Sequence, residues 1–523
     1  MRKIIFTLFV VHCLVFHEIS YAQAPPVQWA RCYGGFDPDQ AYSAEETNDG
    51  GYIIAGYSMS TSGDVSGNYG ASDYWVVKTD MTGSIEWQHC FGGSNDDVLK
   101  SIHQTSDHGY ILAGFSFSND SDVSGNNGYD DYWIVKLDSN GTIQWQKSLG
   151  GSSEEQPSEI RQTADSGFII SGYTYSNNYN VSGNHDVTGI TKDIWIVKIN
   201  SIGNLIWQKC FGGSADDYAN DIGLTSDGNY IVAGISSSTD GDVSVNQSGM
   251  ISWIFKIDTV GNILWQNGRT YFPSADTGFV VSRILEKADG GYVIAGELAW
   301  FASLNYFIFG MAFLDSTGNF IYARGNGYYG HGRANAINKT SDNGYILCGV
   351  NDSAGNLNNE WLIVKTDSAG QQLWQQTFNS TNATSADDVA YSAHETTDGG
   401  FIIGGHIFNA FGTSCNASAG NSDFGLAKLG GTSSADENLI TEKNLAAYLS
   451  PLNDLLVSFS YYEITDLHLA MLDITGRNLF QSQFTSTPGI NKKEIPIGDL
   501  AKGIYIVTLT GAEGSESVKV VKE

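Results

Sequence analysis

The chain has 523 residues, 57 of them acidic and 27 basic, for a net charge of −30. Nucleic acid and anionic lipid surfaces would repel such a molecule and are excluded as partners. With 61 glycines, eight prolines and 12% aromatics, the composition fits a turn-rich β protein and not a disordered chain.

In chain order, Arg2 and Lys3 precede an apolar run from Ile4 to Phe16, and small residues follow at Ala22 and Ala24. This is the pattern of a secretory signal peptide over residues 1–22, with an apolar part too short to span a bilayer. The residues before Cys13 (Val10, Val11, His12) form no lipobox, and no later segment reads as a transmembrane span. Export is therefore expected. Five cysteines remain after Ala22, none in CxxC spacing, so neither a zinc site nor a disulfide framework is expected. Cys32, Cys90 and Cys210 share one slot, three residues after a Trp, and read as small buried hydrophobes.

Residues 23–431 are repetitive. A Trp slot recurs at Trp29, Trp87, Trp145, Trp207, Trp265 and Trp374, with Tyr322 filling it once. An aromatic after a turn recurs at Tyr52, Tyr110, Phe168, Tyr230, Tyr292, Tyr345 and Phe401. Seven occurrences at spacings of 52 to 62 residues signal a solenoid, propeller or tandem array. One period holds four strand-like runs, as in SIHQT, GYILAGFSF, DYWIVKLD and TIQWQKSLG between residues 101 and 150. D-x-x-G turns at Asp80–Gly83, Asp138–Gly141, Asp258–Gly261, Asp315–Gly318 and Asp367–Gly370 predict tight hairpins. Four antiparallel strands per unit make a propeller blade. The stretch VQWARCYGG (27–35) is an isolated fourth strand, and the repeat region ends on three strands at DFGLAKLGG (423–431). The predicted fold is thus all-β: a seven-bladed β-propeller whose N-terminal strand closes the last blade and leaves no free edge. The repeated Trp is expected to pack between blades.

The pattern V-K-x-D-x-x-G-x-x-x-W resembles repeats of quinoprotein-like and bulb-lectin-like β-structures. The longer unit GGSxxDDxxxSIxxTxDGGYIxAG…DVSGNxGxxDYWVVKxD resembles, over residues 29–429, a repeat family of exported proteins of the Bacteroidetes type. That resemblance implies secreted or cell-surface placement and carries no activity.

After a polar linker, TSSADENLITEKN (432–444), residues 445–523 alternate apolar and polar positions. The blocks MLDITGRNL (471–479), IPIGDLAKGIYIVTL (495–509) and VKVVKE (518–523) resemble the type IX secretion C-terminal sorting domain, a small Ig-like β-sandwich. The family's usual opening, Y-P-N-P, is here YLSPLND (448–454), which keeps only Pro451 of its later part. The resemblance implies the type IX secretion machinery as a partner, passage across the outer membrane, and then removal of the tail with release or surface attachment. An ordinary adhesive Ig-like module is the alternative.

Loops from second to third strand, and from fourth strand to the next blade, should share one face, and they are acidic. They place Asp64, Asp96, Asp97, Asp122, Asp216, Asp217 and Asp242 around a rim. Such oxygen-rich loops suit calcium, or the same side chains bond local backbone N–H groups in turns. Blade five breaks the pattern with GELAWFASLNYFIF (296–309), and GNGYYGHGR (325–333) follows it. Trp300, Phe301, Tyr328, Tyr329, His331 and Arg333 are candidates for a platform that binds sugar rings or peptide; filling the space of the missing loop is the alternative. No HExxH, GxSxG or P-loop is present, and residues 23–430 hold only six arginines, too few for a sialidase-like centre. The expected function is non-catalytic binding of extracellular glycan or protein through the loop-rich face. A polysaccharide hydrolase or lyase and a purely structural surface protein are the alternatives.

Overall fold

The computed structural model describes residues 23–430 except 187, 246–248, 271–277, 300–306, 327–329, 354–358, 379–387 and 409–421. Beyond these it describes 446–449, 455–461, 466–473, 477–485, 489–495, 500–511 and 514–522. Residues 1–22, expected to be a signal peptide, and 432–444, the expected linker, lie outside the described residues. The chain divides into two compact units, Met1–Thr432 and Ser433–Glu523. Every regular element is a β-strand.

The first unit consists of seven four-stranded antiparallel sheets, or blades. In the second, Asp97–Gln104, Tyr110–Ser116, Asp131–Leu137 and Ile143–Leu149 lie side by side in chain order. Six sheets follow this order. The seventh takes three strands from Val389–Glu395, Phe401–Ile407 and Asp423–Leu429, and its fourth is Val27–Tyr33 from the start of the repeats. The pairing is antiparallel, with Ala30 opposite Ala427 and Tyr33 opposite Phe424. Burial follows position in the sheet: DYWIVKL, a third strand, is buried at every residue, whereas the outer IQWQKSL is mostly half-exposed. The D-x-x-G hairpins form as predicted. Asp138 accepts from the N–H groups of Asn140 and Thr142, each at 2.9 Å, while Gly141 takes a φ of 79° that an L side chain rarely adopts.

Successive sheets share apolar cores. Ile53, Tyr74 and Val76 of the first sheet pack with Leu112, Trp133 and Val135 of the second. Phe424 and Leu426 of the seventh pack with Ile54, Trp75 and Val77 of the first. Four of these cores centre on the Trp of the DYW-like motif, Trp75, Trp133, Trp195 and Trp253, all fully buried. Trp361, also fully buried, stands one register position earlier, where other sheets have Tyr74 or Tyr132, and donates to the His406 carbonyl at 3.1 Å. Trp133 meets Tyr74 of the preceding sheet at 4.5 Å between rings, and the Tyr74 hydroxyl donates to the Trp133 carbonyl at 2.9 Å. Its indole N–H would be stranded in this core, but Gln146 accepts it at 2.9 Å. Gln88, Gln208 and Gln266 serve Trp75, Trp195 and Trp253 in the same way, which explains the recurring WQ pair.

The slot tryptophans do bridge sheets. Trp87 stacks edge-on against Tyr110 of the next sheet at 5.9 Å, and its ring lies against Gly141. Most of them are only half-buried, however; Trp374 alone is buried. The repeated lysine is also accounted for. Lys136 ties its strand to the neighbouring turn through Asp107 at 3.0 Å, and five other sheets repeat the pair, as in Lys78–Asp49 and Lys365–Asp342. In the fifth sheet Phe313 takes the lysine's register position, opposite Tyr322.

The cysteine expectation needs correction. Cys90, Cys210 and Cys348 are free and buried, but Cys32, in the same slot as the first two, is disulfide-bonded. It sits on Val27–Tyr33, the one strand whose sheet partners come from the far end of the repeats, so spacing along the chain gave no sign of it.

In the second unit, Ala446–Leu449, Leu455–Tyr461 and Gly489–Ile495 form a three-stranded sheet. Asp466–Asp473, Asn478–Thr485, Gly503–Gly511 and Gly514–Lys522 form a four-stranded one. One core joins the two, with Leu455, Val457 and Ile495 against Leu467, Leu469, Val507 and Leu509.

The difference between the two tryptophan classes is measurable by unfolding the full chain. Trp133→Ala should cost about 3–5 kcal/mol, the range for emptying a buried aromatic site. Trp145→Ala, half-exposed, should cost about 1–2 kcal/mol by the area it covers. Equal losses would contradict the assignment of the inner tryptophan as the anchor.

Candidate functional site

Each first strand carries an irregularity at one place. The register slips between Ala41 and Ser43, Leu99 and Ser101, Pro157 and Glu159, Ala219 and Asp221, and Ala390 and Ser392; the remaining two sheets do the same. A β-bulge re-aims the side chain it displaces. The displaced residues Tyr42, Lys100, Ser158, Asn220 and Tyr391 all line one cavity, with Gln156, Tyr173, Tyr218 and Arg283. Its volume is about 400 Å³, and the first strands of six of the seven sheets contribute to it. Because the first strands begin beside the loops from second to third strand, the cavity opens on the acidic, loop-rich face.

Lys100 is the notable group in the wall. Its ammonium lies 4.0 Å from the centre of the Tyr42 ring and 5.7 Å from that of Phe115. Among the described residues it has no carboxylate within ion-pair distance, and burial brings its pKa down to about 8. Ring faces compensate such a charge only in part, by about 0.5–2 kcal/mol. Tyr42 and Tyr391 meet edge to face at 5.1 Å, and burial raises both hydroxyls well above the ordinary tyrosine value. On the opposite wall Lys192 lies over the rings of Tyr173 and Tyr218, at 4.2 and 4.6 Å.

Arg283 is already satisfied. It reaches from the fifth sheet to Glu159 of the third at 2.7 Å and to Asp221 of the fourth at 3.5 Å. Glu159 also accepts from Ser101 at 2.7 Å and contacts His103 at 2.8 Å, and the other nitrogen of His103 lies 3.1 Å from Glu45. Burial opposes ionisation of both partners, but the guanidiniums of Arg161 and Arg283 hold Glu159 well below the usual carboxylate range. The flanking carboxylates likewise overcome burial and raise His103. This network balances its own charges, and Lys100 and Lys192 are the ammonium groups at the cavity with no carboxylate in ion-pair distance among the described residues.

The acidic rim is largely occupied with backbone. Asp97 and Asp217 are fully buried and accept from Gly93 and Gly213 N–H at 2.7 and 2.9 Å, fixing the GGS turns. Asp96 accepts from the Ser72 hydroxyl at 2.8 Å, and Asp216 from Lys192 N–H at 3.2 Å. Asp64, Asp122 and Asp242 each donate their own N–H to a glycine carbonyl, of Gly34, Gly92 and Gly212. Among the described residues no three Asp, Glu, His or Cys side chains already stand in metal-binding geometry.

Of the predicted aromatic platform, Trp300, Phe301, Tyr328 and Tyr329 lie outside the described residues, and His331 is placed only by its backbone, paired with Asp352. Arg333 is exposed, bonded to Asn335 Oδ1 at 2.9 Å, and near enough to Tyr391 for its charge to act on that hydroxyl. It therefore stands near the cavity. Sequence reasoning missed the cavity residues themselves, as well as the exposed loop aromatics Phe36, Tyr69, Tyr129 and Tyr179.

Comparison with known proteins defines the class of the second unit first. Residues 448–523 match the family model of the secretion system C-terminal sorting domain. The unit is thus a type IX sorting tail, and the chain is exported to the cell surface or outer membrane. No helix among the described residues is long and apolar enough to cross a membrane. No curated protein matches the chain. Among solved structures, puromycin hydrolase is similar at 10% identity and a TM-score of 0.39, covering 76% of this chain and 54% of the other. Prolyl oligopeptidase B from Galerina marginata gives 12% and 0.36, over 83% and 57%. Penicillium chrysogenum alpha-L-arabinanase gives 10% and 0.35, over 63% and 92%. The chain thus spans about half the length of the first two. Likeness this remote assigns no chemistry.

A lysine with a pKa of about 8 has a measurable signature. In competitive acylation of the full chain, Lys100 should reach half its limiting reactivity near pH 8, about two units below exposed lysines. An ordinary profile would mean that its ammonium is not desolvated.

Proposed function

We propose that the protein is an exported, surface-displayed binding protein, and that its ligand is an acidic saccharide seated in the cavity around Lys100. The seven sheets close as a seven-bladed propeller, the tail is an Ig-like sandwich, and residues 1–22 are removed on export. Closure is supported by the seventh sheet, which takes its fourth strand from the start of the repeats and packs on the first. It is supported too by the Arg283–Glu159 pair, which links first strands of non-adjacent sheets.

One observation carries the ligand class: a half-buried, desolvated ammonium with no carboxylate partner among the described residues, against the rings of Tyr42 and Phe115 in a tyrosine-lined cavity, in a chain of net charge −30. Tyrosine faces suit the C–H faces of sugar rings, and their hydroxyls supply hydrogen bonds. A carboxylate on the sugar completes the charge that Lys100 lacks. The volume of about 400 Å³ is in the range of small-ligand sites. Loop aromatics such as Tyr129 and Tyr179 extend the surface beyond the cavity.

Affinity electrophoresis of the full chain should show retardation by polygalacturonate and none by a neutral glucan. Lys100→Ala and Tyr42→Ala should each weaken binding at least ~10-fold, about 1.4 kcal/mol. Because Lys100 must be charged, affinity should hold below about pH 8 and fall above it. Wild-type affinity in a folded Lys100→Ala variant would overturn the reading.

A further inference from the structure

The junction between the first and second sheets holds two carboxylates that protein groups do not fully satisfy. Asp73 opens the third strand of the first sheet and Asp97 the first strand of the second, and both are 0% exposed. They face each other across Gly92, where a Cβ would lie 2.4 Å from Asp73 Oδ1 and 2.6 Å from Asp97 Oδ2. One oxygen of each is used: Tyr69 N–H donates to Asp73 Oδ2 at 2.6 Å, and Gly93 N–H and the Ser118 hydroxyl donate to Asp97 Oδ2. Asp73 Oδ1 and Asp97 Oδ1 have no hydrogen-bond partner, although the Ser116 hydroxyl is close enough to Asp97 to favour its ionised form. A third carboxylate, Asp122, reaches the same glycine from the rim, 3.4 Å from its N–H. Like charges gathered out of water require a counter-charge or protonation.

The repeat supplies its own comparison. Between the third and fourth sheets the equivalent residues are Asp193, Asp217 and Asp242; Asp193 Oδ1 and Asp217 Oδ1 lack hydrogen-bond partners there too, but the chain provides a cation. His185 places Nδ1 2.6 Å from Asp193 Oδ2 and Nε2 3.6 Å from Asp242 Oδ2. Between the second and third sheets the rim carboxylate is replaced by Asn180, and the Asn127 amide spans Asp131 and Asn180 at 3.3 Å each. At the first–second junction the residue in the His185 position is Tyr69, whose N–H makes the same bond but whose ring is exposed and brings no charge.

We propose that Asp73, Asp97 and Asp122 bind a calcium ion at this junction, in the place that His185 fills two junctions further on. Calcium fits donors that are all hard oxygens, with glycine carbonyls and water to complete its shell. The three carboxylates are not yet gathered on one point, so binding draws in Asp122, the half-exposed member on a loop. Asp423, Asp39 and Asp64 repeat the acidic set around Gly34, between the seventh and first sheets. A second ion there would add to the count without altering the comparison.

The test is calorimetric titration of calcium chloride into chelator-treated full chain, with thermal unfolding in chelator and in calcium. Wild type should bind calcium and unfold at a higher temperature in its presence. Asp122→Asn should remove one equivalent, or weaken it at least tenfold, without lowering the unfolding temperature in chelator. Tyr69→His, which installs the imidazole of the third–fourth junction, should remove the same equivalent while raising that temperature. Absence of calcium binding, or wild-type stoichiometry in both folded variants, would overturn the proposal and leave the pair as protonated carboxyls.

Discussion

Everything in the repeat unit is arranged around a tryptophan pressed between two sheets. Trp133 and its equivalents have no solvent-facing side, so the sheets must approach closely and the indole N–H must find a partner inside. The glutamine thirteen residues later provides it, from the outer strand of the same sheet. That one bond ties the fully buried third strand to the half-exposed fourth, and the Tyr74 hydroxyl ties the tryptophan's carbonyl to the preceding sheet. A four-stranded sheet in isolation would expose both faces. Stacked on these rings, each face becomes part of a core.

Rigid stacking of the outer strands leaves the first strands free to vary. Each carries a bulge at the same place, and the displaced residues differ from sheet to sheet: Tyr42, Lys100, Ser158, Asn220, Tyr391. The scaffold fixes where a side chain is presented, and the sequence chooses what is presented. Below them the buried Arg283, Glu159, His103 and Glu45 satisfy one another, which keeps the floor of the cavity neutral. Lys100 and Lys192 stand against the cavity's tyrosines above this floor, and on the first of them the proposed anionic ligand rests.

Much of the fold could be read from the chain because its period is long, regular and tied to turn chemistry. Asp138 and Gly141 announce a hairpin by what an aspartate accepts and a glycine permits, and the unpaired fourth strand at 27–35 has its partner at Asp423–Leu429. The sorting tail was legible for another reason, three family blocks in order. The cavity was not. Its residues come from the first strands of six sheets and one second strand, scattered along the chain, whereas the breaks in the repeat fall at Trp300 and Tyr328. The signal was present in a different form: Tyr42, Lys100 and Tyr391 are non-matching letters inside otherwise matching strands. The Cys32 disulfide was hidden too, since its strand has neighbours almost four hundred residues away. The acidic rim was legible as composition but not as role, because Asp97 and Asp217 turn out to hold glycine loops from within.

A chain with a sorting tail is exported to the cell surface or outer membrane, and the ligand proposed for it there is an acidic saccharide. The central claim is that Lys100 meets the ligand's carboxylate, and zero-length carbodiimide coupling tests it without mutation. When an acidic oligosaccharide is activated in the presence of the full chain, the new amide should fall on the peptide that contains Lys100, and excess unactivated ligand should suppress it. Coupling confined to other lysines, or insensitive to competing ligand, would contradict the account.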